Sequence, residues 1–330
     1  MSVQIKTIEF TPKRNTFGHV ARRLGSDKPA TRYQEGTLDL QATENFHYKP
    51  LWEPEFWTYD LAKTAVKMTD WYKPLDPRQY YYATYNIARA NMQQAVDRNF
   101  AFADERGLLV KLPEAIKQKI ISLVLPLRHL HWGSNMNMAE ICQRGYGTAI
   151  TAPCIFSAMD HLGMAQIVSR VGLLLDNQTG ESLRTAKSAW VNDAAWQGIR
   201  KLVEDSLVER DWFHLFTAQM LGINAVLLQL AYKGLEAGHT EAALPLAMLS
   251  EFQTDWLTEE GRWSDSVIKT VAAASEENKA LISGWAKTWI ARAAEAAAPL
   301  AAAALGDGGA AAHAAGETAL ARARALGLAL

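Results

Sequence analysis

The sequence predicts an all-α protein, in which a large helical bundle follows an extended N-terminal arm. Two observations lead to this prediction. From residue 76 to about 290, apolar residues recur at spacings of four and three, the period of one face of an α-helix. No segment carries the pattern of a strand hairpin or a βαβ unit. Long helices joined by tight turns are typical of a bundle.

The predicted arm, residues 1 to about 75, lacks helical periodicity. Its second half is rich in aromatic residues: Phe46, Tyr48, Trp52, Phe56, Trp57, Tyr59, Trp71 and Tyr72. Rigid aromatic side chains bury a large area for few torsions and are good anchors in interfaces. We therefore expect the arm to contact a partner subunit. The side chains expected to become more buried in that complex are Trp52, Phe56, Trp57 and Trp71.

The bundle is predicted to occupy residues 76–290, and prolines mark its first helices. Asp76 can cap the first helix, with Pro77 at the first helical position, where a missing N–H costs nothing. Pro113 is expected to open a second helix, which Pro126 should kink or break.

Turn and cap residues divide the rest of the bundle. A third helix is expected from about Ala152 to Leu175, ended by the turn at residues 176–180. The last long apolar stripe runs from Phe216 to Leu230. Thr240 can cap a further helix, and Ser275 can cap the one after it.

Residues 291–330 form an Ala-rich C-terminal tail, in which half of the residues are alanine. Alanine favours helix but buries little area. We expect two helical pieces that pack loosely, or are partly disordered, at the edge of the domain.

Composition excludes several classes of function. A net charge of -1 gives no general attraction for nucleic acid or an anionic membrane. The two cysteines, Cys142 and Cys154, form no CxxC pair and define no disulfide framework. The sequence lacks a signal-peptide pattern, and the apolar run from Leu215 to Leu230 falls short of a membrane span. We expect a cytoplasmic protein.

Possible metal-ligand pairs at helical spacing occur only as isolated matches. The candidates are Glu44 with His47, Glu236 with His239, Asp211 with His214, and His129 with His131. In the first three pairs the residues are three apart and share a helix face, so each could offer two ligands to one ion, whereas His129 and His131 lie two apart. None has partner ligands in the sequence pattern, and ordinary packed or solvated side chains are the favoured interpretation.

Three segments carry a resemblance to a known family: Asp76–Gln94 (DPRQYYYATYNIARANMQQ), Phe156–Gln166 (FSAMDHLGMAQ) and Ser250–Trp263 (SEFQTDWLTEEGRW). Together they resemble the β subunit of bacterial multicomponent monooxygenases, most of all its phenol hydroxylase branch. The resemblance extends over residues 1 to about 290. It implies a ferritin-like bundle, similar in fold to ribonucleotide reductase, that carries no iron itself.

The residues agree with an iron-free subunit. The catalytic relatives carry Asp-Glu-x-x-His at two places. Here the first place resembles Asp160 to Met164, with His161 for the Glu and Met164 for the His. The second begins at Asp255, with Trp256 for the Glu and Glu259 for the His. The other two ligand-bearing positions are expected near His131 and near Gln219 to Gly222, where the sequence offers no carboxylate.

We therefore expect no catalytic, cofactor-binding or metal-binding residue in this chain, and expect Trp256 and Met164 to pack where metal ions would lie. The resemblance implies a non-catalytic β subunit of a phenol- or toluene-type aromatic monooxygenase, which uses O2 and NADH-derived electrons. The implied partners are a di-iron α subunit, a small γ subunit, a regulatory protein and a reductase, in an (αβγ)2 assembly.

Two other functions remain open from the sequence. One is a metal enzyme or radical generator similar to the small subunit of ribonucleotide reductase. The other is a haem-binding bundle that would use His131, His161 or Met164, since His and Met are known haem ligands.

Overall fold

The computed structural model describes residues 16–47, 49–237 and 242–330, and these residues contain helices, turns and loops but no strand. The prediction of an all-α fold is therefore confirmed. The arm carries two short helices, α1 (Gly18–Leu24) and α2 (Arg32–Glu35), and a 3-10 turn at Leu61–Lys63.

The remaining helices follow one another with short connections. They are α3 (Tyr82–Arg106), α4 (Glu114–Leu123), α5 (Leu127–Arg144), α6 (Thr148–Leu175), α7 (Glu181–Asn192), α8 (Ala194–Ser206), α9 (Trp212–Thr217), a π-helical segment (Ala218–Leu228), α10 (Gln229–Ala237), α11 (Ala243–Leu249), α12 (Glu251–Ala272), α13 (Glu276–Leu305) and α14 (Ala310–Ala325). Antiparallel α5 and α6 pack along most of their length, and α13 packs against α8, α14 and the π-helical segment.

The start of the first long helix differs from its prediction. Asp76 does not cap a helix, because its carboxylate accepts hydrogen bonds from the backbone N–H and the guanidinium of Arg78. Helix α3 begins only at Tyr82, after Gln79 with a positive φ of 53°. The buried pairing of Asp76 with Arg78 has taken the place of the expected cap.

Several other boundaries are confirmed. Pro113 precedes the first residue of α4, and the helix is interrupted between α4 and α5, where Pro126 precedes α5. The side chain of Ser275 accepts a hydrogen bond from the backbone N–H of Asn278 at the start of α13. Helix α6 ends in the turn expected after Leu175, although it begins at Thr148 and includes Pro153. Thr240, expected as a cap, lies outside the described residues.

The segment after α9 is wound as a π-helix over 11 residues, Ala218–Leu228, all of them buried. In this winding Gln219 and Asn224, five residues apart, come together, and the Gln219 amide donates to Asn224 Oδ1 at 2.8 Å. The stretch Trp212–Gly234 is long and apolar enough to cross a membrane, but 83% of its most apolar window is buried inside the bundle. It is the central helix of the core.

The arm divides into a part that packs on the bundle and a part that does not. Trp71 is only 5% exposed and lies 5.0 Å, ring centre to ring centre, from Trp212 of α9. The buried Glu53 carboxylate pairs with Lys63 Nζ at 3.0 Å and with Nη2 of Arg144, on α5, at 2.5 Å. Trp52 and Trp57 remain 68% and 43% exposed. The arm is thus not uniformly extended, and Trp71 anchors it to this chain's own bundle.

The Ala-rich tail differs from the expected loose edge. Helix α13 continues to Leu305, and α14 packs antiparallel on it with Ala312, Ala319 and Ala323 fully buried. Small residues allow the helices to approach closely. A Cβ atom on Gly198 of α8 would lie 3.0 Å from the carbonyl oxygen of Ala296. The alanines contribute to the core through this close contact rather than through their own area.

A substitution in α14 tests whether the tail belongs to the core. Ala319→Leu should lower the free energy of unfolding by about 1–3 kcal/mol, because a larger side chain overpacks the contact of α14 with the bundle. The matched control is Ala314→Leu on the exposed side of α14, which should have little effect. Chemical denaturation of both variants measures the difference, and equal stability of the two would contradict tight packing of the tail.

Candidate functional site

An arginine held between two carboxylates lies at the junction of α3, α6 and α12. Arg89 donates from Nε and Nη2 to both oxygens of Asp160, each at 2.8 Å. The same guanidinium donates from Nη2 and Nη1 to Glu259, at 2.9 and 3.1 Å. Charge-assisted bidentate pairs of this kind fix geometry as well as charge. Arg89 therefore joins three long helices at one point.

Asp160 has further donors besides Arg89. Tyr85 donates its hydroxyl to Asp160 Oδ1 at 2.8 Å, and Trp256 donates its indole N–H to Oδ2 at 2.8 Å. Burial alone would raise the pKa of Glu259, but the hydrogen bonds and charge of Arg89, with the charge of Arg78, lower it. Both carboxylates are thus committed to neighbouring side chains.

A second arginine lies beside the first. Arg78 contacts Asp76 at 3.0 Å and donates to Glu260 at 2.7 Å, and all three side chains are nearly inaccessible to solvent. The Arg78 guanidinium also lies 5.2 Å from the ring centre of Trp263. Burial raises the pKa of Glu260 to about 7, more than the charge of Arg78 lowers it.

Deeper in the bundle, two histidines are hydrogen-bonded to each other. His131 Nδ1 and His161 Nδ1 are 3.1 Å apart, and His131 Nε2 lies 2.6 Å from the hydroxyl of Tyr232. Burial lowers the pKa of His131 to about 3 and that of His161 well below its usual value, so both rings are neutral. The His161 ring meets the edge of Trp256, with centroids 4.7 Å apart.

An uncharged cluster of amide and hydroxyl side chains joins α5, which also carries His131, to the π-helical segment and α8. Gln219 Nε2 donates to Ser134 at 3.0 Å, and Asn137 Nδ2 donates to Gln219 Oε1 at 2.9 Å and to Ser206 at 2.8 Å. The sequence offered no carboxylate at this place, and the structure puts a hydrogen-bonded amide there.

The isolated ligand pairs do not assemble into a site. Asp211 caps α9 and accepts from Thr64 at 2.7 Å. His214 accepts the indole N–H of Trp289 at 2.9 Å. His129 stacks on Trp190, and burial lowers its pKa to about 4.

The remaining candidates are Glu44 with His47, Glu236 with His239, and the two cysteines. Glu44 and His47 lie in an irregular stretch of the arm, and His239 lies outside the described residues. Cys142 and Cys154 are free thiols, the first half-buried and the second buried. Throughout the described ranges, no group of three or more His, Cys, Asp or Glu side chains is placed to hold a metal ion.

Sequence reasoning missed the two arginines and Tyr232. One signal was present for Arg89, which follows Tyr85 by four residues and precedes Met92 by three, and so shares their apolar face. A charged residue on a buried face requires a partner. The partners Asp160 and Glu259 are distant in sequence, and only the fold brings them to Arg89.

Comparison with known proteins places these features in a family. The family described as Methane/Phenol/Alkene Hydroxylase matches residues 51–275. The chain is 46% identical over 302 residues to "Phenol 2-monooxygenase, oxygenase component DmpL" of Pseudomonas sp. (strain CF600), covering 91% of each chain. It is 27% identical over 234 residues to the hydroxylase component subunit beta of the toluene-4-monooxygenase system of Ectopseudomonas mendocina, covering 68% of this chain and 70% of that one.

A solved structure of xenon-pressurized phenol hydroxylase from Pseudomonas sp. OX1 is similar along nearly the whole chain. The TM-score is 0.93 at 40% identity, and the match covers 99% of both chains. A structure of toluene 4-monooxygenase with toluene in its resting active site shares the fold, with a TM-score of 0.76 at 22% identity over 89% of this chain and 98% of that one.

Removal of the Arg89 guanidinium should strongly destabilise the fold. Arg89→Met leaves the buried Asp160 without a cation, leaves Glu259 with only its longer 3.4 Å contact to Arg78, and should lower the free energy of unfolding by about 3–5 kcal/mol. The same substitution in an Asp160→Asn, Glu259→Gln background should cost much less, because the carboxylates are gone. The matched surface control is Arg184→Met, expected to be nearly neutral because Arg184 is exposed. An equal cost of Arg89→Met in both backgrounds would contradict the assigned pairing.

Titration of Glu260 should change how the free energy of unfolding depends on pH. A carboxyl whose pKa is raised on folding stabilises the protein below its usual pKa of 4.5 and loses that contribution as pH rises towards 7. Wild type should therefore lose roughly 2–3 kcal/mol relative to Glu260→Gln between about pH 5 and pH 8. Comparison of the two proteins cancels the opposite contribution of the buried histidines.

Denaturation curves at several pH values measure this difference, and Glu317→Gln on the exposed side of α14 is the control for loss of a carboxylate. If the difference in free energy of unfolding between wild type and Glu260→Gln stays constant across this pH range, Glu260 does not titrate there.

Proposed function

The chain belongs to the methane, phenol and alkene hydroxylase family and to its phenol monooxygenase oxygenase components, and from this we propose that it is the non-catalytic β subunit. In this role the chain supports a di-iron α subunit, which hydroxylates an aromatic ring with O2 and electrons from NADH through a reductase. This chain, the α subunit and a small γ subunit form a cytoplasmic (αβγ)2 assembly, with which a regulatory protein and the reductase interact.

The observation that carries this proposal is the pairing of buried carboxylates with guanidinium groups at the junction of α3, α6 and α12. Two iron ions need several anionic oxygen ligands, because buried positive charge must be compensated. Here Asp160 and Glu259 are engaged by Arg89, and Glu260 is engaged by Arg78. The two arginines already engage the carboxylate oxygens that two metal cations would need as ligands. The residues therefore do not fit a di-iron centre.

Neutral bulky groups support the same proposal. Trp256, His161 and Met164 occupy the positions at which the resemblance expects metal ligands, and all three are fully buried. Trp256 donates its N–H to Asp160 and packs on His161. These side chains fill the interior, and the indole of Trp256 engages an oxygen of Asp160 that a metal ion would need.

The outer face of α5 and α6 supports a role in assembly. Five large apolar side chains stay exposed there at helical spacing, and we name this set the α5–α6 face: Trp132, Met136, Ile155, Met159 and Leu162. Large apolar side chains exposed on two neighbouring helices are typical of a protein–protein interface. The exposed side chains of Leu51 and Trp52 in the arm offer a further contact.

The two alternative functions gain no support from the geometry. A radical generator similar to ribonucleotide reductase would need the carboxylates that the arginines engage. For a haem-binding bundle, His131 and His161 are hydrogen-bonded to each other within 3.1 Å and leave no room for a porphyrin between them.

Assembly variants test the proposal. Met159→Glu with Leu162→Glu places two charges on the α5–α6 face, and should prevent co-purification with the iron-bearing subunit and abolish phenol hydroxylation by the complex. The variant chain should keep its helical circular dichroism, since both side chains are exposed. Val208→Glu, at an exposed position outside this face, is the matched control.

The proposal fails on either of two results. One is full assembly and activity of the double variant. The other is phenol hydroxylation by this chain alone when supplied with the reductase, O2 and NADH, since a subunit without an active site cannot perform the reaction.

A further inference from the structure

An apolar pocket of about 210 Å³ lies where α4, α5, α10, α11 and α13 meet. Among the described residues that line it, Lys119 alone carries a charge, and Lys119 is exposed. The walls are aliphatic, with Leu127, Leu130, Leu227 and Leu246 buried around the pocket. The pocket shares no lining residue with the Arg89 cluster and is a separate feature of the fold.

Small residues create this space. Ala297 and Ala301 of α13 form one wall, and Ala231 and Gly234 of α10 form part of another. Protein interiors are normally packed with few voids larger than a water molecule. Alanine maintains the helix while contributing little volume. The Ala-rich segment therefore leaves room at a place where larger side chains would close the core.

The size and chemistry of the pocket define what it can hold. Water inside would lack hydrogen-bond partners on aliphatic walls. An engineered protein cavity of about 150 Å³ lined by Leu, Ile and Phe stays dry and accepts benzene or xenon. A single benzene-sized molecule therefore fits here, whereas a helix or an extended peptide does not. We propose that this pocket binds one small uncharged hydrocarbon or aromatic molecule.

The ligand has a route from solvent. Lys119, Ala304 and Leu305 line the pocket and are exposed, so its mouth lies at the protein surface. A small apolar molecule can enter there without unfolding the bundle. This site depends on the aliphatic walls alone and stands independently of the subunit assignment.

Heavy-atom diffraction locates the ligand directly. Crystals of the purified assembly containing the full chain are soaked with bromobenzene, and bromine anomalous density is examined inside the pocket. Ala301→Leu should remove this density because the larger side chain fills the pocket. Ala304→Trp, at an exposed position of the mouth, should also remove it and keeps the test valid if Ala301→Leu does not fold. Ala303→Leu, exposed on α13 and outside the pocket, should retain it.

Binding measurements in solution show by how much each substitution weakens binding of the ligand. In saturation-transfer NMR with benzene and the full chain, Ala301→Leu and Ala304→Trp should each weaken binding at this site on the order of tenfold or more, and Ala303→Leu should not. The inference is overturned by absence of bromine density in the wild-type pocket, by equal loss in Ala303→Leu, or by a partner's side chain that fills the pocket in the assembly.

Discussion

Compensation of buried charge is the constraint on which the centre of this structure depends. Arg89 is held by Asp160 of α6 and Glu259 of α12, and none of these groups could be buried alone. The pairing brings three long helices together at a fixed distance and orientation. Because the two carboxylates share one guanidinium, removal of Arg89 leaves negative charge that the interior cannot solvate.

The same constraint explains the proposed role of the chain. A bundle that uses its central carboxylates to bind arginine cannot also use them for metal ions. Beside these ion pairs, the neutral rings of His131 and His161, the indole of Trp256 and the amide of Gln219 add polar groups that carry no charge. In the proposed role, this core is a rigid support, and the apolar α5–α6 face is the surface that would contact a partner.

Local sequence rules predicted the helical class, the helix start at Pro113, the break at Pro126 and the cap at Ser275, because each depends on neighbouring residues. They were wrong about Asp76, whose carboxylate is engaged by the buried Arg78 rather than by a helix terminus. They were also wrong about loose packing of the tail, since the alanine pattern does not reveal how closely α14 approaches α13. In the Arg89 cluster, Arg89 is 71 positions from Asp160 and 170 positions from Glu259 in the sequence. Helical periodicity cannot reveal contacts over such separations.

The most direct test of this account is anomalous diffraction at the iron absorption edge from crystals of the purified assembly. Iron density should be found in the partner subunit, and none should lie among Arg89, Asp160, Glu259 and Trp256 of this chain. Iron density at that cluster, with the guanidinium of Arg89 displaced from the two carboxylates, would contradict both the charge argument and the non-catalytic role.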